Sequence, residues 1–482
     1  MKKRADLQAS CGKDIPMYFF ENLDRFGDNQ ALVCENGVRY TYTELERQVS
    51  RFADCVFCPE RKLAFLVTSN CEESVWGYIG LIRAGVVPLM IGKKVSYELF
   101  QTLLNYYHPA WVWAEESYFC YNPQYRHGNY VLSKMDSVPY DIHPDLCVLH
   151  TTSGSTGSPK CVRQSKANVE YMSALTAKYL GLTEHDSMIS TLPMNYGYGT
   201  NSLQIHLRVG AKIIMTENSI LSREFWETFR REKATNFGGV VFTYDMLQKM
   251  HISTMELPSL RFLTQAGGKF EKNAIEKFLP PMQAKGVDLT VFYGQTEGTC
   301  FMSIVPPEKA LEKAGTIGVP YDGLTFSIID DDGNSVKKPH TRGELVIDGP
   351  AICMGYAEKC EELNLGDEWH GHLVTGDYVT VDEDGYYTIV GRKKRFLKIH
   401  GERVSLDEIE GLLRERGYNN ACKGKDDHVE IYTTENDLDK VMTDINNLTA
   451  INRECLSVFR VTEIPRNEAG KVQYAALDSA VI

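Results

Sequence analysis

Apolar residues recur along the chain with two different spacings. Leu45, Val49, Phe52 and Val56 fall about one helical turn apart, and Thr43 with Glu46 makes a helix-start signature, so residues 43–57 read as an amphipathic helix. Short, wholly apolar runs predict buried strands at 62–68, 86–91, 111–114 and 146–150, with helices at 72–84, 95–107 and 167–180 between them. Further strands are expected at 187–192, 212–216, 239–242, 260–265 and 290–293, and an aromatic, glycine-rich turn at 194–201. Strands alternating with helices predict parallel or mixed sheets covered by helices.

From about residue 315 the pattern changes. Gly and Asp turns separate short strands at 324–329, 344–347, 378–381 and 386–390, which predicts a β-rich subdomain. A basic run, Gly391-Arg392-Lys393-Lys394-Arg395-Phe396-Leu397-Lys398, follows, read as a solvated face at a junction. Ser405 and Glu408 then form a second helix-start signature ahead of a helix at 406–416. The expected fold is α/β: a large N-terminal domain of mixed sheets with a β-rich subdomain, and a small α+β C-terminal domain.

Composition narrows the class. The chain has 482 residues, 43% hydrophobic, and a net charge of −12. An acidic surface argues against nucleic acid as the main partner, and any anionic substrate needs a local positive site. The 13 cysteines follow no disulfide spacing, which suits a reducing compartment. Cys55 and Cys58 have no second ligand pair for zinc and read as buried small side chains ending a helix. The most apolar early stretch, 75–91, is broken by Arg83, Gly85 and Pro88 and is too short to span a bilayer. The start of the chain lacks a signal-peptide pattern, so a cytoplasmic protein is expected.

The stretch Thr151-Thr152-Ser153-Gly154-Ser155-Thr156-Gly157-Ser158-Pro159-Lys160 fits either a flexible linker or a phosphate-binding loop. Its position between a strand and a helix favours phosphate, because ligands of open α/β sheets bind beyond the strands' carboxyl ends. The glycine spacing is not that of a Walker loop. Other strands end at Gly267-Gly268 and at Tyr293-Gly294-Gln295-Thr296-Glu297, and could ring the same site.

Six ordered motifs resemble those of the adenylate-forming superfamily, which includes acyl-CoA synthetases, acyl- and aryl-acid–AMP ligases, peptide-synthetase adenylation domains and luciferases. They are Thr152–Lys160, Tyr293–Glu297, Gly343–Leu345, Thr375–Asp377, Gly391–Lys398 with Gly401–Glu410, and Pro465–Lys471. The resemblance implies an N-terminal domain over 1–392, a mobile lid over 393–482 and a hinge near Lys394. It also implies activation of a carboxylate by ATP with Mg²⁺, then transfer of the acyl group to a phosphopantetheine thiol.

Carried onto this chain, the resemblance assigns pyrophosphate binding to Thr152, Ser153, Gly154, Ser155, Thr156, Gly157 and Lys160. Glu297 would hold Mg²⁺, Thr296 the α-phosphate, and Tyr293 with Gly294, Gly267 and Gly268 the adenine. Asp377 would hold the ribose, and Arg392 would reach the ribose or a phosphate. Lys471 would bridge the carboxylate and the α-phosphate, while Lys398 and Gly401 would serve the thiol step. Tyr196, Tyr198, Val241 and Phe242 would line an acyl pocket of modest size. No Asp lies between Leu192 and Leu207 to pair with an α-ammonium, so a non-amino acid is expected. The span from Glu410 to Pro465 is short for the family, which favours a separate acyl carrier protein over free CoA as acceptor. An acyl-CoA ligase, an amino-acid-activating enzyme, a luciferase-like oxidase and a non-catalytic nucleotide-binding scaffold are the alternatives.

Overall fold

The structure is a computed structural model, and it describes residues 18–151, 160–400, 402–449, 451–467 and 470–482. Two large sheets organise the body. One has nine strands, with Gln30–Val33, Lys212–Ile214, Ser187–Ile189, Asn236–Gly239, Phe262–Gln265 and Asp288–Tyr293 running parallel through its centre. The other has eight strands around a parallel core of Leu146–Thr151, Val87–Gly92, Leu63–Thr68 and Trp111–Glu115. Both centres are near-continuous apolar runs, as parallel strands covered on two faces require.

Several strands of the nine-stranded sheet end at one edge in Val240, Ala266-Gly267 and Gly294-Gln295. An antiparallel four-stranded sheet of Thr325–Ile329, Gly343–Asp348, His372–Val381 and Tyr387–Arg392 is the expected β-rich subdomain. Beyond it, the hairpin Phe396–Ile399/Glu402–Ser405, two helices and a three-stranded sheet share a hydrophobic cluster of their own, including Leu397, Ile409, Leu413, Ile431 and Ile445.

Some expectations need correction. The first helix is Tyr42–Val56, and its capping box is Thr41 with Glu44, two residues earlier than expected. Glu46 instead pairs with Arg83 and accepts from the Leu23 backbone N–H. The glycine-rich stretch expected to be a turn opens a helix, Gly197–Val209, because Gly199 must sit against the Pro193 carbonyl, where a Cβ would lie 2.1 Å away. The apolar run at 239–242 straddles a boundary: the strand stops at Gly239 and a helix starts at Val241. Cys55 is exposed rather than buried, since it lies on the outer face of its helix. The basic run is not uniformly solvated: Arg395 turns inward between Asp407 and Glu410, 4.0 Å from the centre of the Tyr474 ring.

Candidate active site

The site gathers at the carboxyl ends of the parallel strands, facing the C-terminal domain. Asp377 and Arg392 are cross-strand partners in the four-stranded sheet. Asp377 is 2% exposed, and its Oδ1 lies 3.2 Å from Arg392 Nε. Its Oδ2 accepts from the Tyr293 hydroxyl at 2.7 Å and from Gln295 Nε2 at 2.8 Å. The Asp377 carboxylate raises the Arg392 pKa, while burial and then Asp377 raise that of the Tyr293 phenol, so Tyr293 stays a neutral donor. Gln295, which the sequence did not single out, also donates to the Thr375 carbonyl and ties the two strands together.

Glu297 stands in a 3₁₀ turn, Thr296–Gly298. The turn is closed tightly, since a Cβ on Gly294 would fall 1.5 Å from the Cys300 carbonyl oxygen. The backbone N–H of Cys353 donates to the Glu297 carbonyl, and the Cys353 thiol to that of Thr296. Glu297 Oε1 accepts from the Tyr356 hydroxyl at 2.8 Å. The Lys160 ammonium lies over the Tyr356 ring, 3.5 Å from its centroid, and Trp369 meets the same ring edge-on at 4.8 Å. Tyr356 is a second residue the sequence did not reveal.

Lys471 arrives from the other end of the chain. It sits on a hairpin closed by Arg466 and Val472, with its N–H donating to Asn467 Oδ1 at 2.9 Å. Gly470, at φ +71°, fits tightly against the body: a Cβ there would lie 2.7 Å from Val240 Cγ2 and 3.4 Å from Phe242 Cβ. Arg466 lies 5.7 Å from the centre of the Phe242 ring. Lys471 is exposed. Its surroundings nevertheless push the ammonium below the usual lysine range, first by desolvation and then through Arg392, while Glu297 and Asp377 oppose the shift. A cation drawn between two carboxylates and repelled by a guanidinium is suited to receiving an incoming anion.

The residues expected at the acyl pocket lie nearby but differ in setting. Tyr196 stands at the N-cap of the helix Gly197–Val209, and Phe242 is 39% exposed in the first turn of the helix Val241–Lys249. The Tyr198 hydroxyl meets Thr264 Oγ1 at 2.6 Å, and its ring packs edge-on against Phe301 at 5.0 Å. A Cβ on Gly238 would come within 2.7 Å of that hydroxyl, so Tyr198 fills the space above the strand. Gly267 and Gly268 bring their backbone against Val240 and Val241. A cleft of about 1100 Å³ between the body and the C-terminal domain is lined by Leu192, Met194, Val240, Phe242, Arg466 and Gly470, among others.

Lys394 is exposed in the turn Lys393–Arg395, and Lys398 is exposed in the following strand. Thr152, Ser153, Gly154, Ser155, Thr156, Gly157 and Gly401 lie outside the described residues. Among the described residues, no three His, Cys, Asp or Glu side chains form a cation site, and no helix is long and apolar enough to cross a membrane.

The AMP-binding enzyme family matches residues 19–357, and the chain belongs to that family of adenylate-forming enzymes. It is 26% identical over 426 residues to a 2-succinylbenzoate–CoA ligase of Oceanobacillus iheyensis, covering 83% of each chain. It is 32% identical over 283 residues to an L-proline–[L-prolyl-carrier protein] ligase of Streptomyces coelicolor, covering 57% of this chain and 52% of that one. The fold matches that of o-succinylbenzoate CoA synthetase from Bacillus subtilis solved with ATP and magnesium ion, at a TM-score of 0.77 and 20% identity over 95% of this chain and 99% of that one.

Proposed function

We propose that this enzyme condenses a compact, non-amino carboxylic acid with ATP to an acyl-adenylate, releases pyrophosphate, and passes the acyl group to the thiol of CoA. The observation that carries this reading is that Lys471 lies within electrostatic reach of Glu297, Asp377 and Arg392, the last two being paired at 3.2 Å. Two anions must meet for the first step, so catalysis is mainly positioning and charge neutralisation. Lys471 would hold the acid's carboxylate against the α-phosphate, aided by Thr296. Asp377 and Arg392 would hold the ribose, and Tyr293, Gly294, Gly267 and Gly268 would border the adenine. Lys160 and the loop before it would take the leaving pyrophosphate.

The donor set suits magnesium. Glu297 offers a hard carboxylate oxygen beside the end of the phosphate loop, and magnesium is commonly held by one or two carboxylates together with substrate phosphates. When bound, the ion would neutralise phosphate charge. Glu297 orients its carboxylate through the bond from Tyr356.

Tyr198 restricts the acyl side, which supports a small or flat acid, with Tyr196, Val241 and Phe242 nearer the mouth. The relative matched over most of both chains is named a CoA ligase, and a CoA synthetase of the same fold is covered almost end to end. A short C-terminal domain is therefore no argument against CoA, and the expected preference for a separate carrier protein finds no support. We place the domain boundary at Arg392 and Lys393, with Lys394 as hinge. Lys398 and Gly401 would enter for the thiol step after the lid turns.

ATP–pyrophosphate exchange across keto, aromatic and dicarboxylic acids tests the reading. Exchange with at least one acid is expected, and Lys471→Ala should lower it on the order of 10²-fold or more. No exchange with any acid would favour a nucleotide-binding scaffold. Exchange unchanged in the Lys471 variant would overturn that assignment.

A further inference from the structure

The motifs leave Tyr356 unassigned, yet it touches two of their most important members. It stands on the short strand Gly355–Ala357, which pairs antiparallel with Cys161–Ser165, the strand that follows Lys160. Register places Ala357 opposite Cys161 and Tyr356 opposite Val162. Tyr356 is therefore fixed by backbone pairing to the strand leaving the phosphate loop. Its hydroxyl donates to Glu297 Oε1, its ring face carries the Lys160 ammonium, and Trp369 backs the ring.

From this arrangement we infer that Tyr356 is a positioning residue that holds the magnesium carboxylate and the phosphate-loop lysine in register through the two ends of one side chain. Among the described residues, its hydroxyl makes the only side-chain hydrogen bond to the Glu297 carboxylate. One oxygen is thereby oriented, and among the described residues no side chain donates a hydrogen bond to Oε2, the oxygen that would meet a cation. The ring does separate work. It gives the Lys160 ammonium a soft electrostatic seat, which keeps the lysine near the carboxylate without a direct ion pair that the incoming polyphosphate would have to break. Charge neutralisation of the substrate would thus be prepared at one place from two sides.

The inference rests on the assignment of Glu297 to magnesium and of Lys160 to phosphate, and the two functions of Tyr356 can be separated. Tyr356→Phe keeps the ring and loses the hydroxyl. It should raise the magnesium concentration needed for half-maximal exchange roughly tenfold, as expected when an outer partner of a metal ligand is lost. Binding of ATP in the presence of a chelator, followed by the fluorescence of the tryptophans, should be unchanged. Tyr356→Leu loses both groups. It should show the same magnesium shift and also weaken chelator-ATP binding roughly threefold. In a Lys160→Met background, Tyr356→Leu should add no further loss of chelator-ATP binding.

Glu297→Gln serves as the reference. If it leaves the magnesium requirement unchanged, the metal assignment itself fails. If it shifts the requirement while Tyr356→Phe does not, only the positioning role is overturned. Equal loss of magnesium response and chelator-ATP binding in both Tyr356 variants would indicate a merely structural residue and overturn the inference.

Discussion

His150 shows how one side chain ties the site to the core. It is 2% exposed at the end of the strand leading into the phosphate loop, and its Nδ1 pairs with the Asn195 carbonyl at 3.1 Å. Burial pushes its pKa down to about 4. The unfolded chain takes up this proton near pH 6.5, while the folded one resists until about 4, so the stability is present above 6.5 and lost as pH falls from 6.5 towards 4. Between pH 7 and 5 the loss is about 2 kcal/mol. Urea unfolding of the parent and of His150→Gln at both pH values should show a shallower pH dependence in the variant. Equal dependence would remove His150 as its source.

At the scale of elements, the hairpin carrying Lys471 depends on Gly470. Its φ of +71° suits glycine, and any side chain would meet Val240. Gly470→Ala should therefore lift the hairpin from the body and lower ATP–pyrophosphate exchange roughly tenfold, given about 1–2 kcal/mol of backbone strain. Transfer from a supplied acyl-adenylate to CoA, which does not call on Lys471 in the proposed scheme, should be retained. Loss of both steps together would mean that Gly470 supports the domain rather than the docking.

The same scale shows what the pattern could and could not carry. The helix Tyr42–Val56 and the strand Leu63–Thr68 were legible because one buries a single stripe and the other buries every residue. The helix Gly197–Val209 was not, because glycines required by close packing imitate a turn. Glu297, Asp377, Arg392 and Lys471 were legible as motif members, and the first three act electrostatically on Lys471. Tyr356 was not, and Gln295, though inside its motif, carried no assigned role. Each acts through a partner 59 or 82 positions away, and no local spacing records that.

At the scale of the whole molecule, few charges among the described residues join the C-terminal domain to the body. Arg414 lies 3.7 Å from Glu271, Lys393 lies 2.7 Å from Glu344, and Asp245 acts on Arg466. Pairs with exposed partners contribute little singly and are screened by salt. Arg414→Ala should thus lower exchange by no more than about threefold at low ionic strength and leave it unchanged at high salt. A large, salt-independent loss would show that this contact determines the closed arrangement. In the proposed two-step scheme, weak contacts would suit a C-terminal domain that moves between the half-reactions.

The bonds around Asp377 have a consequence for the nucleotide. An Asp carboxylate has about four acceptor positions, and Tyr293, Gln295 and Arg392 take three of them. In the proposed scheme one ribose hydroxyl would take the open position, and the second would replace the tyrosine or the glutamine. Binding would then be partly an exchange between nearly equal bonds. Such an exchange grips the sugar weakly even where it orients it well, and a weak grip favours prompt departure of the spent nucleotide at the end of each turnover.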